Sequence, residues 1–257
     1  MVDGALLVIA HPGHELLLHD WMERLKPQVC VLTDGSGGQG PARLNETVRV
    51  VEATGASVGP VFGVAPDRSF YQAILRQDVA FFMRLVERLA LAISAAGPRV
   101  VVSDAIEHFN PVHDLASVIA TLAARRAPGV QAARYEFPIE RPVDMTSATP
   151  QWLVRRLTAE AFERKLQAAA GNAALATEVA RVRAEQSGVG AVEVLIPVSP
   201  EAPVLPAPRD EPFYQTFGRA RVAAGVYADL ITFEDHMAPL VAALAKAAAP
   251  ARASTSL

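Results

Sequence analysis

Three histidines stand where a chain of alternating strands and helices brings chemistry together. His11 and His14 bracket Pro12-Gly13 directly after the apolar run 5–10, and His113 follows the apolar run 100–103. Neutral imidazole is a common zinc ligand, and three imidazoles around one open position suffice for catalytic zinc. Loops at the carboxyl edge of a parallel sheet open onto one crevice, so these two loops can share an ion. The alternative is that each histidine caps or decorates its own loop. Acids lie beside both: Glu15 next to His14, and Asp104, Glu107 and Asp114 around His113. Each is a candidate acid–base catalyst, or a partner that hydrogen-bonds an imidazole and orients it. Asn110 offers an amide that can polarise a substrate carbonyl, or simply a turn before Pro111.

The elements that must position these residues read as βαβ units around a mostly parallel sheet, a Rossmann-like three-layer α/β sandwich. Strands are expected at 5–10, 29–33, 61–64, 100–103, 133–137 and 192–198. Helices are expected from Pro41 to Gly55, over 70–95 with Gly97-Pro98 as its stop, over 112–126, and over 160–185 with a break at Gly171. Six prolines between 197 and 212 predict an extended surface loop. Residues 1–245 are read as one domain and 246–257 as a frayed tail.

A second cluster, 33–40, carries Gly35, Gly37, Gly38 and Gly40 in a strand-to-helix connection and suggests a backbone cradle for phosphate or sugar hydroxyls. It lacks the dinucleotide fingerprint, because the first strand ends in His-Pro. Arg43 begins the next helix, where it reaches either a ligand or Glu46 one turn on. Asp67, Arg68 and Tyr71 line the same crevice or form an ordinary helix start. His19 and His108 are expected in solvent, and 213–218 and His236 in an aromatic core or an oligomer contact.

At the histidine motifs the chain resembles the PIG-L/LmbE-like zinc deacetylases. Ala10-His11-Pro12-Gly13-His14-Glu15, Leu32-Thr33-Asp34-Gly35-Ser36-Gly37-Gly38, Arg43-Leu44-Asn45-Glu46 and Asn110-Pro111-Val112-His113 follow that family's motifs in order and spacing. The similarity covers about the first 125 residues and continues loosely through a helix near Lys165. It implies His11, His14 and His113 as ligands of Zn2+ or another divalent metal. It puts Gly13 where the family's aspartate base stands, Asn110 at its second-motif histidine and Val112 at its aspartate. A neutral imidazole in place of a carboxylate ligand leaves the ion more positive and strengthens its pull on water. The resemblance implies a hydrolase acting on an N-acyl amino sugar such as N-acetylglucosamine, or on a glycoconjugate. A chain that keeps the pocket but lacks the base would instead only bind, and a metal enzyme of another reaction type would need Glu107 or Asp104 as its acid–base group.

Net charge of -3 and 20% charged residues argue against nucleic acid, which favours a clustered basic face. Every apolar stretch is interrupted by charge, so no membrane span is expected. The opening residues lack a basic, cleavable leader, and a cytoplasmic setting is expected. Cys30 reads as core, and a homo-oligomer is left open.

Overall fold

The computed structural model describes residues 4–37, 40–141, 144–172, 175–185, 188 and 190–249. Its centre is β1 (Ala5–Ile9), whose five residues are all buried. β2 (Gln28–Thr33) and then β3 (Ser57–Ala65) lie on one side of it, and β4 (Val100–Asp104) and β5 (Ala133–Phe137) on the other, all parallel. β7 (Val192–Pro197) joins β5 antiparallel, and β6 (Leu153–Arg156) pairs with β7 as the far edge. The order 3-2-1-4-5 reverses direction between β1 and β4. Loops leaving that point diverge and open a crevice at the carboxyl ends of the strands.

Alternation along β1 builds both faces. Leu6, Val8 and Ala10 enter a core with α3 (Asp67–Leu75), α4 (Val79–Ala96), α5 (Pro111–Arg126) and α9 (Ala238–Ala248). Leu7 and Ile9 enter the opposite core with Leu16, Leu18, Met22 and Val50–Val51 of a 3-10 turn (His14–Leu18), α1 (His19–Leu25) and α2 (Leu44–Ala53). These are the three layers of an α/β sandwich. Cys30 is buried, as its apolar run implies, and desolvation pushes its thiol up to about 12.

Several boundaries differ from the sequence reading. The helix expected over 70–95 is two helices: Gln77 turns left-handed at φ 54°, and the Asp78 carboxylate caps α4 by accepting from Phe81 N at 2.9 Å. The helix after Pro41 begins only at Leu44, and β3 is longer than 61–64. Gly171 does end α6 (Ala159–Ala170), and α7 follows at Ala176–Ala184. α1, β6 and α8 (Phe213–Ala223) carry no clean period and escaped notice. The proposed tail from 246 is helical to Ala248, and its residues 250–257 lie outside those described, as do Gly38 and Gln39 of the glycine loop. Among the described residues no helix is long and apolar enough to cross a membrane.

Candidate metal centre at the carboxyl edge of the sheet

The crevice beside β1 and β4 collects the three histidines. His11 and His14 leave the end of β1 on a tight turn, and His113 enters from the first turn of α5, whose N-terminus follows the β4 loop. Ring centres are 5.4 Å apart for His11–His14, 5.1 Å for His11–His113 and 4.6 Å for His14–His113, each pair edge to face. Three imidazoles held tetrahedrally by one ion at about 2.0–2.1 Å would have ring centres about 5.2 Å apart. Among the described residues no group of three or more His, Cys, Asp or Glu side chains has its donor atoms placed to hold an ion as they stand.

Two rings are fixed from behind. His11 Nδ1 lies 2.6 Å from Asp67 Oδ1 and 2.8 Å from Thr33 Oγ1, and His14 Nδ1 lies 2.9 Å from Asp104 Oδ2. A carboxylate on Nδ1 demands a proton there, which leaves the lone pair of the neutral ring on Nε2. His11 Nε2 is buried without a hydrogen-bond partner, and so is His113 Nδ1. Buried polar atoms are nearly always paired, so two orphans in one cluster mark a place prepared for something else. An imidazole donor set with carboxylates behind it fits a divalent metal.

Electrostatics separate the three rings. Burial lowers the His11 pKa against the opposing pull of Asp67. Burial also disfavours charge on His14, but the Asp104 carboxylate outweighs it and the net shift is upward. His113 has no acid behind it, so burial and the two neighbouring rings hold it far below its ordinary value, in the neutral form.

The acids named from sequence are all occupied. Glu15, buried, accepts from Gly13 N at 2.7 Å and so clamps the turn that carries both histidines. Asp114 accepts from Glu107 N and His108 N, each at 3.1 Å, and holds the β4 loop. Glu107 accepts from the backbone of Ile139, Glu140 and Arg141. Asp104 grips Ala10 N as well as His14. Asp67, read as a substrate contact, instead holds His11 with one oxygen and Gly37 N with the other. Each thus has at least one oxygen engaged, and Asp104 Oδ1 and Asp114 Oδ2 are buried without a hydrogen-bond partner. Asn110 caps α5 by accepting from Val112 N at 2.8 Å and donates from Nδ2 to the Tyr71 hydroxyl at 3.2 Å.

The glycine loop borders the same edge: a Cβ on Gly35 would stand 2.8 Å from Pro12 Cγ. It is not an open cradle, however. Gly35 N, Ser36 N, Gly37 N and Gly40 N donate to Thr33, Asp34, Asp67 and Ser36 respectively. Arg43 lies over this loop, its Nε donating to Gly35 O at 2.7 Å, and among the described residues it makes no ion pair with Glu46. His19 and His108, expected in solvent, are not there: His19 is buried, and the His108 ring packs edge-on against Phe233 with Nδ1 3.5 Å from Asp114 Oδ2. His236 turns inward on its own turn and accepts from Thr232 N.

Sequence reading missed two participants. Thr33 was seen only as the start of the glycine loop, although the final polar residue of an apolar strand is the expected place for a site residue. Asn172 gave no signal, since it lies 159 residues after Gly13, yet its Nδ2 stands 3.4 Å from where a Gly13 Cβ would be. Gly13 itself has φ 105°, a conformation that side chains rarely adopt.

No protein-family model matches the chain. No curated protein matches it either. Solved structures do. The A40926 pseudoaglycone deacetylase Dbv21 superposes with a TM-score of 0.57 at 15% identity, covering 80% or less of this chain (79%) and 100% of its own. A deacetylase of the teicoplanin biosynthesis pathway gives 0.56 at 11% identity, over 77% and 100%. The conserved protein TT1542 from Thermus thermophilus gives 0.51 at 22% identity, over 82% and 99%. The chain has the PIG-L/LmbE-like deacetylase fold. In this fold the turn after β1 carries His11 and His14 and the first turn of α5 carries His113, so the motifs that suggested the resemblance lie together at the switch point of the sheet.

Proposed function

We propose that the chain is a metal-dependent hydrolase that removes an N-acyl group from an amino sugar or glycoconjugate. One observation carries the reading: three imidazoles share the crevice at the β1/β4 switch point, two of them backed by buried aspartates and two with an unpartnered buried nitrogen. The deacetylases named above, which share the fold, support the reaction class. His11, His14 and His113 would hold Zn2+ or another divalent metal, which when bound polarises the acyl carbonyl and activates water. Asp67 and Asp104 fix the rings and keep their protons on Nδ1. Asn110 retains a second amide N–H, beyond the one on Tyr71, to meet a carbonyl oxygen. The outer guanidinium of Arg43, at the crevice rim, meets substrate hydroxyls.

A second reading is favoured by a specific observation. Glu15, Asp67, Asp104 and Asp114 all grip backbone or imidazole, and Gly13 supplies no base, so the pocket also suits a protein that binds the same ligand without cleaving it. Purified protein loaded with zinc and given N-acetylglucosamine glycosides separates the two. Acetate release that stops on chelation and in His113→Ala supports the hydrolase. Saturable binding with no release supports the binding protein. Failure to retain any metal sinks both in their metal form.

A further inference from the structure

We infer that the exposed aromatic ridge Phe109–Phe213–Phe217–Tyr227 is a subsite for a flat apolar group carried by the ligand of the histidine crevice; this rests on the proposed function above. The ridge leaves the crevice at a defined point. Phe109 immediately precedes Asn110, and its ring stacks on Phe213 with centres 4.2 Å apart and planes within 7°. Phe213 N donates to His108 O at 2.9 Å, which ties the start of α8 to the β4 loop. The row continues through Phe217, 5.9 Å from Phe213, to Tyr227, 6.5 Å from Phe217.

These rings are not core. Phe213, Phe217 and Tyr227 are 44%, 46% and 45% exposed, with Val226 at 52% beside them. Aromatic rings left half in water next to a polar crevice are costly unless something covers them. Arg221 sits over both Phe217 and Tyr227 at 5.7 Å, which holds the outer rings in place and adds a cation at the far end. At about 200 Å² per aromatic side chain, the exposed part of Phe213, Phe217 and Tyr227 is roughly 270 Å². A stable protein interface needs about 800 Å² per partner, more than twice that, so a second copy is a poor occupant. A ring-sized group of a small ligand, whose polar end reaches Asn110, matches both the area and the continuity with the crevice.

The test is equilibrium binding by calorimetry to the full, zinc-loaded chain, with methyl and phenyl glycosides of N-acetylglucosamine and with phenyl glucoside, which lacks the acylamino group. Stacking on such a ridge predicts that the phenyl N-acetylglucosaminide binds about three- to tenfold more tightly than the methyl one. Phe217→Ala and Tyr227→Ser, both at exposed positions, should remove that advantage and leave the methyl glycoside unchanged. Equal affinities, an advantage that survives both substitutions, or no detectable binding of either phenyl compound would overturn the subsite. Acetate release measured in the same samples keeps the two ideas apart. No release, with a phenyl preference that depends on Phe217, ends the hydrolase reading and leaves the ridge standing.

Discussion

Two buried polar clusters flank the same sheet and are built on opposite rules. Beside β7 the charged groups pair with one another and with backbone: Glu193 accepts from Asp20 N, Trp21 N and Lys165 Nζ, Lys165 also donates to Leu17 O, and Asp20 accepts from Arg155 at 2.6 Å. At the β1/β4 edge two imidazoles are held from behind by aspartates, while His11 Nε2, His113 Nδ1 and Asp104 Oδ1 are buried with no hydrogen-bond partner. A closed network fixes one arrangement of α1, α6 and β7. An open one, held from behind, is preorganised for a ligand that supplies the missing partner. The contrast separates architecture from site more sharply than burial or charge does, since both clusters are buried and ionisable.

The largest expected effect tests the closed cluster. Lys165→Met leaves the Glu193 carboxylate buried with only backbone donors, and should lower unfolding free energy by about 3–5 kcal/mol in a urea titration. Its metal content per folded chain should not change. If stability holds and metal is lost instead, the two clusters do not differ as described. The next effect belongs to the open cluster: Asp104→Asn or Asp67→Asn should weaken metal binding by about 10- to 100-fold while the fold persists, measured by competition with a chromogenic chelator.

Smaller effects sharpen the boundary between them. Restoring an acid through Gly13→Asp meets a backbone at φ 105°, and should cost about 1–3 kcal/mol of stability, read from the thermal midpoint. An unstrained, fully stable variant would mean that the turn differs from the one described. Arg155→Ala removes only the half-exposed rim of the closed network and should cost about 0.5–1 kcal/mol in the same urea titration. A loss as large as that of Lys165→Met would show that the network is not closed at its centre.

Much of this was legible in the chain, for reasons that differ by element. Apolar runs 5–10, 29–33 and 100–103 became β1, β2 and β4 because strands buried on both faces are continuous hydrophobic runs. His11 just past β1 and Asp104 at the end of β4 meet because parallel strands open onto one carboxyl edge. The break at Gln77 was hidden because both sides keep helical period and the capping Asp78 looks like any surface acid. β6 and α8 were hidden because they are exposed and owe their place to tertiary contacts. In the site, the rings were readable from type and position, whereas the duties of the acids were not. Whether Asp67 meets a ligand or His11, and whether the glycine loop offers its N–H groups or uses them itself, depends on distances that spacing does not encode.

The central claim is that the open cluster is a metal site made by three imidazoles, and metal stoichiometry tests it most directly. Protein purified without chelator, and dialysed against micromolar zinc and then zinc-free buffer, should retain about one ion per chain by elemental analysis. His113→Ala should retain close to none, with its circular dichroism and urea midpoint near those of the parent, while His19→Ala, buried on α1 outside the cluster, should retain the full complement per folded chain. Equal metal in the parent and in His113→Ala, or none in a folded parent, would contradict the account.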